Sequence, residues 1–557
     1  MLPGIAPKDA ETLKELFEAS CERFARRPAF SSMGVTLRYD EVERLSARFG
    51  AYLRTELGLM PGERIALMLP NLLQYPIALI GALRAGLSVT NVNPLYTASE
   101  LQYQLADSEA AAIVVLENFA HTVEHALAGT RVRRAITTQV GDLLPAPRRW
   151  VANAAVKHLK RMVQPWRLPG AVPFRDAIAG KPALPEVLVQ PDDIALLQYT
   201  GGTTGRPKGA VLAHANLVAN VSQTAEWIGG VLREGEETVV TALPLYHLFA
   251  LTANLLVFMR LGGRNVLIAN PRDLNAFLRE LQRTRFTAIT GVSTLYKALL
   301  DAEGFAAVCR ANRGALKVAV AGGMSLEREV AERWQAATGV PLVEGYGLTE
   351  ASPSVCANPI DARAFSGKLG LPLARTEVSV RDEEGAELAR GGIGEICVRG
   401  PQVMRGYWHA PEETAQAFFS GGWLRTGDLG AMDAEGRVRF LERRKDVIVV
   451  AGYKAYPSEI EQVALAHPGV KEAGAVGVPH ARSGEAVALF VVKRDPALTA
   501  AALAEHCARH LAVYKRPVRI EFRDALPKSP IGKVLHRELR ETAAPAPSAR
   551  HFPHAAR

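Results

Sequence analysis

Apolar positions along this chain change period repeatedly. Over Leu13–Ala25 and Tyr39–Leu57 they recur every three or four residues, the spacing of one buried helix face. Short apolar runs at Ile65–Met68, Ser88–Asn91 and Ala112–Leu116 read as strands, and Tyr75–Ala85 reads as a helix between them. The alternation continues to about residue 190 and then through about residue 440. Strands written as unbroken apolar runs belong to parallel sheets covered by helices on both faces. After about residue 445 a smaller unit is predicted, with strands over Val447–Val450, Ala473–Val478 and Val487–Val492 and helices over Pro457–Ala466 and Thr499–His510. The expected class is α/β. A large N-terminal domain of helix-flanked sheets (1–444) precedes a small α+β domain (445–542), and the Ala/Pro-rich 543–557 is expected to be a disordered tail.

A length of 557 residues exceeds what one core organises, which fits this division. Hydrophobic content of 48% and charged content of 22% describe an ordinary globular chain. The five cysteines, Cys21, Cys309, Cys356, Cys397 and Cys507, are scattered without a C-x-x-C pair. That argues against a cysteine zinc site or a disulfide framework and predicts a reducing cytoplasm. Met1–Ala10 has no apolar stretch and carries Lys8 and Asp9, so no signal peptide is expected. Thr241–Met259 lacks Lys, Arg, Asp and Glu over nineteen residues, but Pro244, His247 and Asn254 interrupt it. Its Leu248–Met259 half is predicted to be a buried core helix rather than a membrane span.

The net charge of +9 is partly local. Between Leu143 and Arg175 there is no acidic residue, while Arg148, Arg149, Lys157, Lys160, Arg161 and Arg167 are basic. Trp150, Val151, Leu159, Met162 and Trp166 recur at helical spacing among them. A basic amphipathic helix of this kind suits an anionic membrane surface. The same pattern also suits a solvated face over a packed stripe, and both readings stand at this point.

The densest chemistry lies in Tyr199-Thr200-Gly201-Gly202-Thr203-Thr204-Gly205-Arg206-Pro207-Lys208-Gly209. Apolar strands are predicted on both sides, Ile194–Gln198 and Ala210–Ala213. Glycines let backbone N–H groups approach an anion, hydroxyls add donors, and Lys208 supplies a point charge. Together they suit a polyphosphate. A Walker loop would open a helix and place Ser or Thr after the lysine, whereas here Gly209 and a strand follow.

This loop resembles the signature of the adenylate-forming superfamily of acyl-CoA synthetases, luciferases and peptide-synthetase adenylation domains. Further motifs carry the same resemblance in the same order: Glu344-Gly345-Tyr346-Gly347-Leu348-Thr349-Glu350, Trp423–Asp428, Glu442–Asp446, Ala451–Glu461 and Pro527–Lys533. Met68–Pro76, Asn91–Tyr96 and Ala242–His247 make the resemblance strongest to bacterial long-chain fatty-acyl-CoA synthetases. It covers essentially the whole chain apart from the tail.

The resemblance implies that Thr200, Gly201, Gly202, Thr204, Gly205 and Lys208 wrap the ATP phosphates. Gly322, Gly323, Tyr346 and Gly347 would flank adenine, and Thr349 would contact the α-phosphate. Glu350, with Thr203, would hold Mg²⁺. Asp428 and Arg443 would bind ribose, Lys445 would be the hinge of a mobile C-terminal lid, and Gly452 and Tyr453 would line the path of CoA. Catalytic roles fall to Lys533, Glu350, Thr203 and His247. Ser458 would cap the helix that follows the Gly452 turn.

The implied activity is ATP-dependent activation of a fatty acid to acyl-AMP, then transfer to CoA. Leu248–Met259 is the expected wall of an acyl tunnel, with Leu251 where some relatives carry a gating tryptophan. The alternatives are a medium-chain or aryl acid–CoA ligase, or a fatty-acyl-AMP ligase loading a carrier protein. Expected partners are fatty acid, ATP and CoA, with no nucleic acid. A homodimer and peripheral attachment to the inner face of the cytoplasmic membrane through Arg148–Arg167 are left open.

Overall fold

The computed structural model describes residues 12–180, 183–200, 206–528 and 534–543. The chain divides into two compact units, Met1–Val378 with Val398–Leu424, and Ser379–Cys397 with Arg425–Arg557. It crosses between them within the strands Glu377–Arg381, Gly394–Arg399 and Trp423–Met432. Most of Trp423–Met432 and all of its partner Val438–Arg443 therefore belong to the second unit, ahead of the boundary expected at Lys445.

Two large sheets build the first unit. One has seven strands in the order Val172–Pro173, Arg134–Thr138, Ala110–Leu116, Arg64–Met68, Ser88–Asn91, Ile194–Thr200, Lys208–Ala213. All neighbours in it are parallel except the last pair, which is antiparallel. The other has nine strands and is parallel from Pro28–Ser32 through Arg264–Leu267, Thr238–Thr241, Ala288–Gly291 and Val318–Ala321 to Leu342–Gly347. Ala110–Leu116 is buried at every position, which is why its sequence shows no alternation. Helices Leu13–Phe24, Tyr39–Thr55 and Gln74–Arg84 lie within a residue or two of their expected spans.

Leu248–Arg260 is a buried helix, as its uncharged composition predicts, but its middle, Leu251–Leu256, is wound in wider π turns. Its polar residues are satisfied rather than lipid-exposed. Asn254 donates to Thr241 Oγ1 (3.2 Å) and accepts from Thr290 (2.9 Å), and Thr252 donates to the Ser352 carbonyl (2.8 Å). Among the described residues no helix is long and apolar enough to cross a membrane.

The basic stretch is helical only over Arg148–Leu159. Trp150, Val151, Leu159 and Met162 are exposed, whereas Trp166 packs on the apolar cluster beneath the seven-stranded sheet. The apolar stripe is thus left open over most of its length.

The second unit folds around the sheet Tyr453–Ala455, Ile448–Val450, Gly484–Lys493, Val470–His480, with Arg519–Phe522 parallel to Gly484–Lys493. Helices Pro457–Leu465 and Ala500–His510 cover one core, containing Ile460, Leu489 and Leu503. The 543–557 tail lies outside the described residues beyond Ala543.

Candidate active site

Strands Ile194–Thr200 and Lys208–Ala213 pair antiparallel with Thr200 opposite Lys208 and Tyr199 opposite Gly209. Gly201, Gly202, Thr203, Thr204 and Gly205 lie outside the described residues, so the structure bears on the base of this loop. That base is held from beneath. The Tyr199 hydroxyl donates to Asp107, and the Trp408 indole N–H donates to the Asp107 carbonyl at 3.0 Å. A Cβ on Gly209 would stand 3.2 Å from the Tyr199 ring, a tight contact that would push the ring aside by a few tenths of an ångström.

Residues 405–408 run as an extra edge beside Lys208–Ala213. The Val211 amide donates to Gly406 O (2.9 Å) and the Trp408 amide to Gly209 O (2.8 Å). This places Tyr407 between two expected site residues. The Lys208 ammonium lies 5.3 Å from the Tyr407 ring centroid, and the Tyr407 hydroxyl donates to Glu350 Oε1 at 2.9 Å. Burial first, then the Glu350 charge, holds the Tyr407 phenol well above its ordinary range. It therefore stays a donor. Sequence reasoning misses Tyr407, Trp408 and Asp107, because a Gly-Tyr-Trp segment after a strand carries no periodic signal.

Glu350 follows a turn that tolerates no side chain at its centre. A Cβ on Gly347 would stand 2.1 Å from the Pro353 carbonyl oxygen, which accepts the Leu348 amide at 2.9 Å. Across the nine-stranded sheet, Gly322 follows Val318–Ala321, and its Cβ would lie 3.1 Å from the Phe249 ring and 3.2 Å from Gly345 O. Gly322 and the Tyr346 strand are therefore close neighbours, while Gly323 turns the chain away with φ +76°. Burial pushes the Glu344 carboxyl up to about 7, against the Ser366 hydroxyl and the Gly367 amide that favour its charge. His247 precedes the buried helix. Burial lowers its imidazole to about 4, so it is neutral at ordinary pH, and its Nε2 has no hydrogen-bond partner among the described residues.

In the second unit the two expected ribose residues face each other. Asp428 and Arg443 are register partners, and Arg443 Nε lies 2.8 Å from Asp428 Oδ1. Asp428 is 1% exposed, a burial a carboxylate sustains only with such a partner.

Ser458 is not the cap expected of it. It lies inside the helix Pro457–Leu465, its hydroxyl donates to Leu441 O (2.9 Å), and its amide donates to the Glu442 carboxylate (2.8 Å). Glu442, distant in sequence, does the capping, and a negative charge at that helix end also suits its dipole.

Lys445 is exposed within the single turn Arg444–Asp446. Ala451 and Gly452 (φ +49° and +85°) form the two-residue link between Val450 and Tyr453, a primed hairpin turn. Tyr453 is 62% exposed and stacks on Tyr514 at 5.1 Å.

Lys533 lies outside the described residues, but both flanks of its segment are anchored. Lys528 bridges Val534, and the Leu535 amide donates to Pro527 O at 2.9 Å. Next to them, His536 Nε2 meets Glu461 Oε1 at 2.7 Å and Nδ1 lies 3.8 Å from Asp446. Burial disfavours the charged imidazolium, yet these two carboxylates outweigh it and raise His536 to about 10. A raised value means the stabilisation is complete below the unfolded value of 6.5 and is lost as pH climbs toward 10. His536→Gln is expected to cost about 3 kcal/mol near pH 6, the scale of a broken buried pair. In thermal melts the gap to the parent protein should narrow steadily between pH 7 and pH 10. A gap independent of pH would contradict this assignment.

Comparison with known proteins decides the family. The AMP-binding enzyme model matches residues 17–408, and the AMP-binding enzyme C-terminal domain model matches 459–533. The chain belongs to the AMP-binding enzyme family.

Among members of that family, the long-chain-fatty-acid–CoA ligase of Salmonella typhimurium is 50% identical over 97% of this chain and 96% of its own. The protein of the same name from Haemophilus influenzae is 46% identical over 95% and 94%. The crystal structure of ATP-bound MatB from Rhodopseudomonas palustris superposes with a TM-score of 0.80 at 29% identity, covering 96% of this chain and 99% of that one.

Of the two ligands expected for the metal that an AMP-binding enzyme implies, Glu350 is among the described residues. Glu350 offers a hard oxygen, suited to Mg²⁺, and a hydrogen bond from Tyr407 orients it, as outer partners orient metal-binding carboxylates. Tyr407→Phe removes that bond to a charged group, a loss of about 1.5–3 kcal/mol. Pyrophosphate exchange should fall about tenfold or more, with a raised Mg²⁺ requirement. An unchanged Mg²⁺ dependence would refute the orienting role.

Proposed function

We propose that this protein is an ATP-dependent long-chain fatty acid–CoA ligase that releases AMP and pyrophosphate. The observation that carries the adenylating half is the Lys208–Tyr407–Glu350 cluster, which sets a cation and a metal-binding carboxylate beside the base of a glycine- and threonine-rich loop. The fatty acid is proposed from the near full-length identity to ligases of that name.

In the first step a carboxylate oxygen of the fatty acid bonds to the α-phosphorus of ATP, and the bond to pyrophosphate breaks. Such chemistry needs positioning and charge neutralisation more than covalent help from the protein. Lys208, with the hydroxyls of Thr200, Thr203 and Thr204, holds the leaving pyrophosphate. Glu350 and Thr203 would hold Mg²⁺, which would supply charge neutralisation at the phosphates. Tyr346, Gly347, Gly322 and Gly323 accept adenine, Thr349 the α-phosphate, and Asp428 with Arg443 the ribose. Lys533 neutralises charge shared by the carboxylate and the α-phosphate. Neutral His247 is a hydrogen-bonding group that adds no charge near the acid. In the second step the CoA thiolate attacks the acyl carbonyl and AMP leaves, with Gly452 and Tyr453 along the pantetheine path and Lys445 as the pivot.

Each buried methylene contributes roughly 0.8 kcal/mol, so a long tail supplies much of the substrate affinity. AMP release dependent on both ATP and CoA, measured over fatty acids of increasing length and over aryl acids, tests the reading. The expected order is long-chain above medium-chain above aryl. A preference for aryl acids, or turnover that needs a carrier protein instead of CoA, would replace it.

The exposed Trp150, Val151, Leu159 and Met162, set among basic residues, support peripheral attachment to anionic membrane. Sedimentation with anionic vesicles should weaken when Arg148, Arg149, Lys157, Lys160 and Arg161 are neutralised.

A further inference from the structure

The helix Ala120–Ala126 carries three side chains for which the ligase chemistry has no use. His121, Glu124 and His125 sit at i, i+3 and i+4, the spacing that puts side chains on one helical face. One ligand atom from each lies within 4.8 Å of the others, and the two imidazole centroids are 4.4 Å apart. In a tetrahedral zinc site with Zn–N bonds of about 2.0 Å, neighbouring ligand atoms stand about 3.3 Å apart. His125 is exposed, so a side-chain rotation can close the difference.

A second layer of contacts is already in place. His121 Nδ1 lies 3.2 Å from Pro165 O, which fixes the ring and leaves Nε2 to bind. Glu124 Oε2 accepts the Arg167 amide at 2.9 Å, which orients the carboxylate and leaves Oε1 to bind. Both partners are backbone groups of one segment, and Asn118 also reaches it through Met162 O at 3.2 Å.

We propose that His121, Glu124 and His125 form a Zn²⁺-type transition-metal site that pins the 162–167 segment to the helix Ala120–Ala126. Two imidazoles and one carboxylate are the donor set of open, three-ligand zinc centres. Beside so basic a stretch the ion is held by nitrogen donors rather than by net negative charge. That selects Zn²⁺, Ni²⁺ or Cu²⁺ over Mg²⁺ and Ca²⁺, which require oxygen ligands.

The full-length chain is titrated with Zn²⁺ against a chromophoric chelator, and with Mg²⁺ and Ca²⁺ separately. Trypsin cleavage after the exposed Lys160 and Arg161 is followed in parallel. The parent protein should bind one equivalent of Zn²⁺ that His121→Ala/His125→Ala loses, with ligase activity in Zn²⁺-free buffer containing Mg²⁺ unchanged. The single variant His125→Ala, at an exposed position, should weaken binding without touching the fold. At free Zn²⁺ tenfold above the dissociation constant, linkage predicts about tenfold slower cleavage in the parent protein and no slowing in the double variant.

A second imidazole cluster, His467, His506 and His510, supplies the control, with ring centroids 5.2 and 4.9 Å apart along it. His506→Ala/His510→Ala should keep the bound equivalent. Loss in that variant instead, retention in the first, or no Zn²⁺ taken from the chelator by the parent protein would each overturn the proposal.

Discussion

Lys533→Ala is expected to slow acyl-adenylate formation by about 10²–10³-fold, the scale of removing one placed charge-stabilising donor. Thioester formation from supplied acyl-AMP should stay within a few-fold of the parent enzyme. The split is expected because the two half-reactions ask different things of the protein. In the first, negative charge builds between a carboxylate and a phosphate and an ammonium group offsets it. In the second, a thiolate meets an already activated carbonyl. Pyrophosphate exchange reads the first alone, and thioester release from acyl-AMP reads the second. Equal loss in both assays would remove Lys533 from the role proposed for it and point to damage of the surrounding unit. The flanking anchors Lys528–Val534 and His536–Glu461 make such damage separable, since His536→Gln should disturb stability first.

Gly347→Ala should be as severe by another route. One methyl group at that position meets the Pro353 carbonyl oxygen at 2.1 Å, a backbone atom that cannot rotate aside. The turn from Tyr346 to Glu350 must shift, and with it the Thr349 and Glu350 side chains proposed to serve the α-phosphate and Mg²⁺. Misplacement by about 1 Å is enough to cost about 10²-fold in rate. Overpacking should add about 1–3 kcal/mol of destabilisation. ATP protection in thermal melts and pyrophosphate exchange should both be lost.

Gly452→Ala is the matched contrast. Nothing lies within 4 Å of a Cβ there, although φ is +85°. The cost is backbone strain of about 1 kcal/mol, and adenylation should persist. If Gly347→Ala retained normal exchange, the turn would not be the rigid support described above.

The sequence alone determined much of this protein, because much of it is encoded locally. Helix and strand periods, the glycine–threonine loop between two strands, and the motif order from Lys208 to Lys533 all reside in short windows. The observed spans Leu13–Phe24, Ser88–Asn91 and Pro457–Leu465 accordingly lie within about a residue of those expected.

Tertiary structure alone decided what depends on contacts between distant segments. Tyr407 joins Lys208 to Glu350 only because residues 405–408 pair with the strand Lys208–Ala213. Glu442 takes the capping role a local rule gives to Ser458, because a strand end packs against that helix. The stripe around Trp150 reads as half of an amphipathic helix, yet whether a neighbour covers it cannot be read from its own residues. The fold leaves Trp150, Val151, Leu159 and Met162 open and packs only the half-buried Trp166 end against a core. Local spacing specifies what an element can present to its surroundings; which groups it meets there is settled by the non-local packing of the folded chain.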